Sequence, residues 1–235
     1  MPVATFPLGP LQTNSYLIHS GKQAVAVDVG GDPEPMLEYL TTHGLTLTAI
    51  CITHRHFDHV YGVAELQKAT GAPVYISADD DCLEGTESAQ GGLWGFPSVT
   101  AYTAQPIAMG KTTFGGMDCT VLATPGHTPG CVTYHWRDRL FTGDSLMIAG
   151  CGRTDFQGGD AGQLYDSITK RLFSLPDETL VYPGHDYKGA RVSCIGQEKG
   201  SNPRLAGRSR QEFIELMSRL DLAPPKLIGE ALPAN

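Results

Sequence analysis

The stretch LTAICITHRHFDHVYGVAELQKATG (47–71) begins as an unbroken apolar run, crosses three histidines and an aspartate within six positions, and closes as a helical pattern ending at Gly71. An apolar run of strand length with no polar alternation suits a strand buried on both faces, as in a parallel sheet covered by helices. The segment 59–71 places Val60, Val63, Ala64 and Leu66 on one helical face. Around it, SYLIHS (15–20) and QAVAVDVGG (23–31) read as a hairpin. DPEPMLEYLTTHG (32–44) reads as a helix with Asp32 as cap, Pro33 in its first turn and Gly44 at its end, and APVYISADD (72–80) returns as a strand. This alternation predicts an α/β fold.

The second half has a similar order. TFGGMDCTVLATPGH (113–127), CVTYHWRD (131–138) and RLFTGDSL (139–146) read as strands, DAGQLYDSITKRLFSL (160–175) as a helix and TLVYPGH (179–185) as a further strand. Residues 84–103 show no clean period and are expected to form a loop over one face. The pattern predicts two sheets flanked by helices, in one domain spanning 1–235 with a short C-terminal extension from 186. In that extension SRQEFIELMSRL (209–220) carries an apolar stripe, Phe213, Ile214, Met217 and Leu220, of the kind that packs into a core or an interface.

Composition narrows the function. The chain has 235 residues with 41% hydrophobic and 18% charged residues and a net charge of -8, which disfavours nucleic acid and anionic membranes as partners. No apolar stretch approaches the roughly 20 residues of a membrane helix, and the first residues lack the plan of a signal or transit peptide, so a cytoplasmic location is expected. The six cysteines, Cys51, Cys82, Cys119, Cys131, Cys151 and Cys194, form no C-x-x-C pair and are expected to be reduced.

His54, His56, Asp58 and His59 cannot share a helical face, because their offsets do not follow the i, i+4 rule. A loop at the carboxyl end of a buried strand can turn all four inward, and imidazole with carboxylate is metal-ligand chemistry. Taken singly, Asp58 could be a helix cap and any one histidine a surface residue. Three later stretches repeat the pattern: TPGHTPG (124–130) offers His127, FTGDS (141–145) offers Asp144 and YPGHDY (182–187) offers His185, each after a predicted strand. Seven candidate ligands result.

In this order and spacing, THRHFDH, TPGHTPG, TGD and YPGH resemble the metallo-β-lactamase fold superfamily, which implies a four-layer αβ/βα sandwich with a metal site at the edge between two sheets. GCGRTDFQGGDAGQLYDSI (150–168), GHDYKGARVSCIGQEKGSNPRL (184–205) and the ending PPKLIGEALPAN resemble the glutathione-dependent persulfide dioxygenases. The early PLGPLQTNSYLI (7–18) is closer to glyoxalase-II-like hydrolases.

The dioxygenase resemblance implies one Fe(II) held by His54, His127 and Asp144, with His56, Asp58, His59 and His185 hydrogen-bonding bound water and orienting the ligands. It implies glutathione persulfide and O2 as substrates, sulfite and glutathione as products, a role in sulfide metabolism, and a homodimer. The same seven residues permit two Zn²⁺: His54, His56 and His127 on one ion, Asp58, His59 and His185 on the other, and Asp144 between them, hydrolysing a glutathione thioester. Zinc has no accessible second oxidation state with which to activate O2. With 50 residues after His185, the helical glutathione-binding domain of an ordinary glyoxalase II is not expected. Glutathione carries two carboxylates, so Arg153, Tyr187, Lys188 and Arg191 are the candidate substrate contacts, with an ion pair from Arg153 to Asp155 or Asp160 as the competing reading. A metal-binding protein without catalysis is a third reading.

Overall fold

The computed structural model describes residues 1–83, 98–186 and 188–220, so part of the 84–103 loop and the last fifteen residues lie outside the described chain. The first half builds one sheet in chain order: β1 (Val3–Leu8), β2 (Thr13–Ser20), β3 (Gln23–Val27), β4 (Thr46–Cys51), β5 (Val74–Ile76) and β6 (Ala104–Pro106). β1 to β3 are antiparallel, whereas β3 to β6 are parallel. The parallel steps need crossovers, and α1 (Glu34–Thr42) and α3 (Val63–Thr70) supply two of them.

The second sheet runs β12-β11-β10-β9-β8-β7, from β7 (Gly110–Phe114), β8 (Met117–Ala123), β9 (Val132–Trp136), β10 (Arg139–Gly143), β11 (Leu180–Pro183) and β12 (Ser193–Cys194). Its one parallel pair, β10 with β11, is spanned by α4 (Ala161–Asp166), which continues through a π-helical stretch at Ser167–Leu172. Asp160 caps α4 by accepting from Gln163 N at 2.9 Å.

Three apolar clusters make the four layers. Between the sheets lie Tyr16, Ile18, Val25 and Val27 against Phe114, Val121, Tyr134, Trp136 and Phe141. Outside the first sheet, Met36 and Leu40 of α1 and Val63 and Leu66 of α3 cover Leu17, Ala26 and Ile50. Outside the second, Leu164, Ile168 and Leu172 pack with Phe213 and Met217 of α6 (Arg210–Arg219). Two residues of the predicted C-terminal stripe are therefore core, while Ile214 and Leu220 are half-buried: Ser209 and Glu212 close a capping box at the start of α6 and point Phe213 and Met217 inward.

Several boundaries differ from the sequence reading; the strand expected over 72–80 is only β5, and three others bear on the site or the sheets. The helix expected from 59 breaks into α2 (Phe57–Val60) and α3 at Gly62, whose N–H donates to Val29 O at 2.9 Å outside either helix; the chain passes so close there that an added Cβ would sit 1.9 Å from the Gly31 carbonyl oxygen, which requires glycine. The strand expected over 113–123 is a hairpin, turned at Gly115 and Gly116 with φ of 54° and 74°, the left-handed pair a two-residue turn requires. The predicted 47–54 strand ends at Cys51, where the chain bends toward the histidines. Cys51, Cys119, Cys131 and Cys151 are buried free thiols and Cys194 is partly covered, as expected; Cys82 lies outside the described side chains.

The sheets are stitched where their strands end. Tyr16 Oη and Asn14 Nδ2 donate to Pro183 O at 2.7 and 3.1 Å, and Val132 N and Tyr134 Oη donate to Thr53 O and Ile52 O at 2.9 Å each. Gly62→Ala is expected to cost about 1–3 kcal/mol by forcing backbone apart at the α2–α3 junction. Urea unfolding measures it, and a variant as stable as the parent would remove that contact from the account.

Candidate metal centre

All seven predicted ligands meet at the carboxyl edge where the two sheets join. β4 leads into His54, His56, Asp58 and His59; the turn after β8 carries His127; β10 ends before Asp144; β11 ends before His185. Every one is buried, the least so being Asp144 at 8% exposure.

The ring nitrogens are aimed by hydrogen bonds from behind. Thr53 Oγ1 donates to Asp28 Oδ2 at 2.8 Å and so accepts from His54 Nδ1 at 3.1 Å. His59 Nδ1 donates to Asp28 Oδ2 at 2.8 Å, and His127 Nδ1 donates to the Arg153 carbonyl at 2.6 Å. This network assigns the tautomers and leaves Nε2 of His54 and His127 as lone pairs facing inward.

Two triads result. His54 Nε2 and His127 Nε2 lie 3.1 and 2.9 Å from His56 Nδ1, so His56 points into the same space as the other two. On the other side His185 Nε2 is 3.1 Å and His59 Nε2 is 3.6 Å from Asp58 Oδ2. Asp144 faces both: its Oδ2 is 3.6 Å from His127 Nε2, and its Oδ1 is 3.4 Å from His59 Nε2 and 3.7 Å from His185 Nε2. The donor atoms of each triad lie within 4.8 Å of one another.

This donor set fits a metal cation. His56 Nε2, His59 Nε2 and Asp144 Oδ1 are buried without a hydrogen bond among the described residues, and three imidazole nitrogens converge with too few protons to satisfy each other. The charge state differs between the triads. Burial, reinforced by neighbouring imidazoles, holds His54 well below the usual histidine range and brings His56 down to about 3. Burial also opposes charge on His59 and His185, yet the surrounding carboxylates outweigh it and raise both. Burial would raise Asp58 and Asp144, but the facing imidazoles lower them.

A family model described as the metallo-beta-lactamase superfamily matches residues 8–185. The chain belongs to that superfamily. The mouse protein named persulfide dioxygenase ETHE1, mitochondrial, is 38% identical, with 95% of this chain and 83% of the relative covered. The crystal structure of ETHE1 from Myxococcus xanthus is 42% identical at a TM-score of 0.82, covering 99% of this chain and 97% of that one. Hydroxyacylglutathione hydrolase GloC of Haemophilus influenzae is 32% identical over 89% of this chain and all of its own.

Within this metallo-beta-lactamase fold, the predicted substrate residues take different places. Arg153 pairs with Asp155, donating from Nε and Nη2 at 2.7 and 2.6 Å, and its guanidinium lies 4.1 Å from the Phe156 ring centroid. The Phe156 ring in turn stands 6.0 Å from His56. The ion pair with Asp155 is thus present, and it is the Arg153 main chain that touches a ligand histidine. Lys188 and Arg191 are exposed, on a turn whose backbone N–H groups both bind Asp186 at 3.0 and 2.6 Å. Tyr187 lies outside the described residues.

Sequence reading missed two carboxylates. Asp28, held at φ 54° just past β3, accepts from Thr53 N, Thr53 Oγ1 and His59 Nδ1, all at 2.8 Å. Asp80 accepts from Arg55 N at 2.8 Å, Thr128 Oγ1 at 3.1 Å and Gly130 N at 2.6 Å, tying the His54–His59 loop to the His127 turn. The only signal for Asp28 was its place in AVDVGG, at the end of a strand before two glycines.

The electrostatics give a pH prediction. A cation arriving beside His59 and His185 must displace protons from groups whose affinity for them is raised, so binding there strengthens as pH rises; His54 and His56 carry no proton to displace. Adding Co²⁺ to the metal-free chain should release protons, with weaker binding at pH 6 than at pH 8. Binding of equal strength at both, without proton release, would contradict this charge assignment.

Proposed function

We propose that this chain is a persulfide dioxygenase that converts glutathione persulfide, O2 and water to sulfite and glutathione at a mononuclear Fe(II) centre. The observation that carries the reading is likeness along nearly the whole chain to proteins named for that activity, at 38% and 42% identity. The buried His/Asp clusters, groups that could hold a metal ion, support it.

In this reading His54, His127 and Asp144 hold the iron, a two-histidine, one-carboxylate face. Bound iron supplies a redox-active ion with open positions for O2 and a substrate sulfur. His56, with Nδ1 turned into the site, accepts from or donates to a water molecule there. Asp58, His59 and His185 form the proton-holding side, since the raised histidines sit against lowered carboxylates. Asp28 and the Arg153 carbonyl keep His59 and His127 aimed. Phe156, backed by Arg153, walls the site beside His56, and the exposed Lys188 and Arg191 supply cationic groups for the glutathione carboxylates, with Tyr187 a candidate contact from the sequence alone.

A second reading has two supports: Asp144 turns one oxygen to each triad, an arrangement that suits a dizinc glutathione thioesterase, and GloC is 32% identical. Metal analysis of anaerobically purified protein, with O2 uptake on glutathione persulfide, separates the two. One iron per chain and O2 consumption are expected; two zinc ions, thioester hydrolysis and no O2 uptake would overturn the dioxygenase reading. In the same preparation, Asp144→Ala should lose iron while His56→Ala keeps most of it. Equal loss from both would place His56 among the iron ligands.

A further inference from the structure

Two stretches that stood out in the sequence, around GCGR (150–153) and EKGSNPRL (198–205), are joined by a buried polar network outside the seven donors. Glu198 lies on α5 (Ile195–Ser201) and is 1% exposed. Its carboxylate accepts from Ser193 Oγ at 2.5 Å, Asn202 Nδ2 at 2.7 Å and the Ala149 backbone N at 3.0 Å. Asn202 Nδ2 also donates to Gly150 O at 3.0 Å, and Arg204 Nη1 donates to Cys151 O at 2.7 Å. Three consecutive backbone units, 149 to 151, are therefore gripped by three side chains.

The gripped segment needs restraint, because Ala149 sits at φ 53°, a left-handed conformation disfavoured for alanine. Immediately after it the chain forms the back wall of the metal centre. Gly152 N donates to Asp144 O at 2.7 Å, and an added Cβ on Gly152 would lie 2.4 Å from that oxygen and 2.8 Å from His127 Cγ. The carbonyl of the next residue, Arg153, accepts from His127 Nδ1 at 2.6 Å. Any shift of 149–151 passes through two hydrogen bonds to His127 and Asp144.

We infer that Glu198, with Asn202 and Arg204, positions His127 and Asp144 for their metal by fixing the backbone of residues 149–151. The inference rests on the metal-centre reading and is independent of which reaction the metal performs. Its test therefore reads the metal itself.

The metal-free full chain is titrated with Co²⁺, whose visible absorption reports ligand geometry. Glu198→Ala should bind about 10–100-fold more weakly, as loss of a partner behind a metal ligand does, with a shifted absorption band. Glu198→Gln should restore both, because its amide oxygen still accepts from Ala149 N while its NH2 donates to the Ser193 hydroxyl. Arg204→Met, at a half-buried position, guards against loss of fold and should move affinity and band in the same direction by a smaller step. Parental affinity and band in both Glu198→Ala and Arg204→Met, with only the melting temperature lowered, would overturn the inference. Failure of the parent chain to bind Co²⁺ would instead undo the metal-centre reading on which it stands.

Discussion

The Asp28 carboxylate takes three hydrogen bonds of 2.8 Å, from the Thr53 backbone, the Thr53 hydroxyl and the His59 ring, and the geometry of the metal centre descends from them. They decide where the chain turns after β4 and which nitrogen of His59 faces inward. Through the Thr53 hydroxyl they also set the His54 ring. Asp28 is itself held at the end of β3, paired in register with the end of β4. The parallel pairing of two strands thus becomes the orientation of two imidazoles. Asp80 does the equivalent for the other half of the molecule, binding the loop of Arg55 to the turn of Thr128 and Gly130.

Such a cluster is unfavourable without this scaffold. Five imidazoles and two carboxylates in a buried volume repel or desolvate one another unless partners or cations balance them. The molecule divides the task by side: neutral rings gather at His54 and His56, and charge gathers among His59, His185, Asp58 and Asp144. Asp144 stands at the seam and belongs to both.

Much of this was legible in the sequence because strand ends are marked twice, by an apolar run stopping and by a His or Asp following a Gly, Pro or Thr. His54, His127, Asp144 and His185 are all signalled in that way, and the four-layer fold came from the family the motifs resemble. Less legible were groups whose partners lie far along the chain. Asp28 acts on residues 25 and 31 positions away and Asp80 on Thr128 and Gly130, 48 and 50 positions away, so no local spacing reveals them. The helix read across 59–71 breaks at Gly62, where the N–H bonds Val29 and the chain passes against Gly31, partners about thirty positions away that no local pattern shows. The number of metal ions is unreadable from the motif for a physical reason: Asp144 can serve one triad or bridge two with the same side chain.

The buried thiols carry a further consequence. Burial raises Cys51, Cys131 and Cys151 and brings Cys119 up to about 12. The thiolate is the form that attacks sulfur or yields to oxidants, so burial disfavours reaction at these four side chains. Cys131 and Cys151 flank the very turn and loop that carry His127 and Asp144. Beside the metal centre these two sulfur atoms therefore serve as packing, and burial keeps them from acting as nucleophiles or rival ligands.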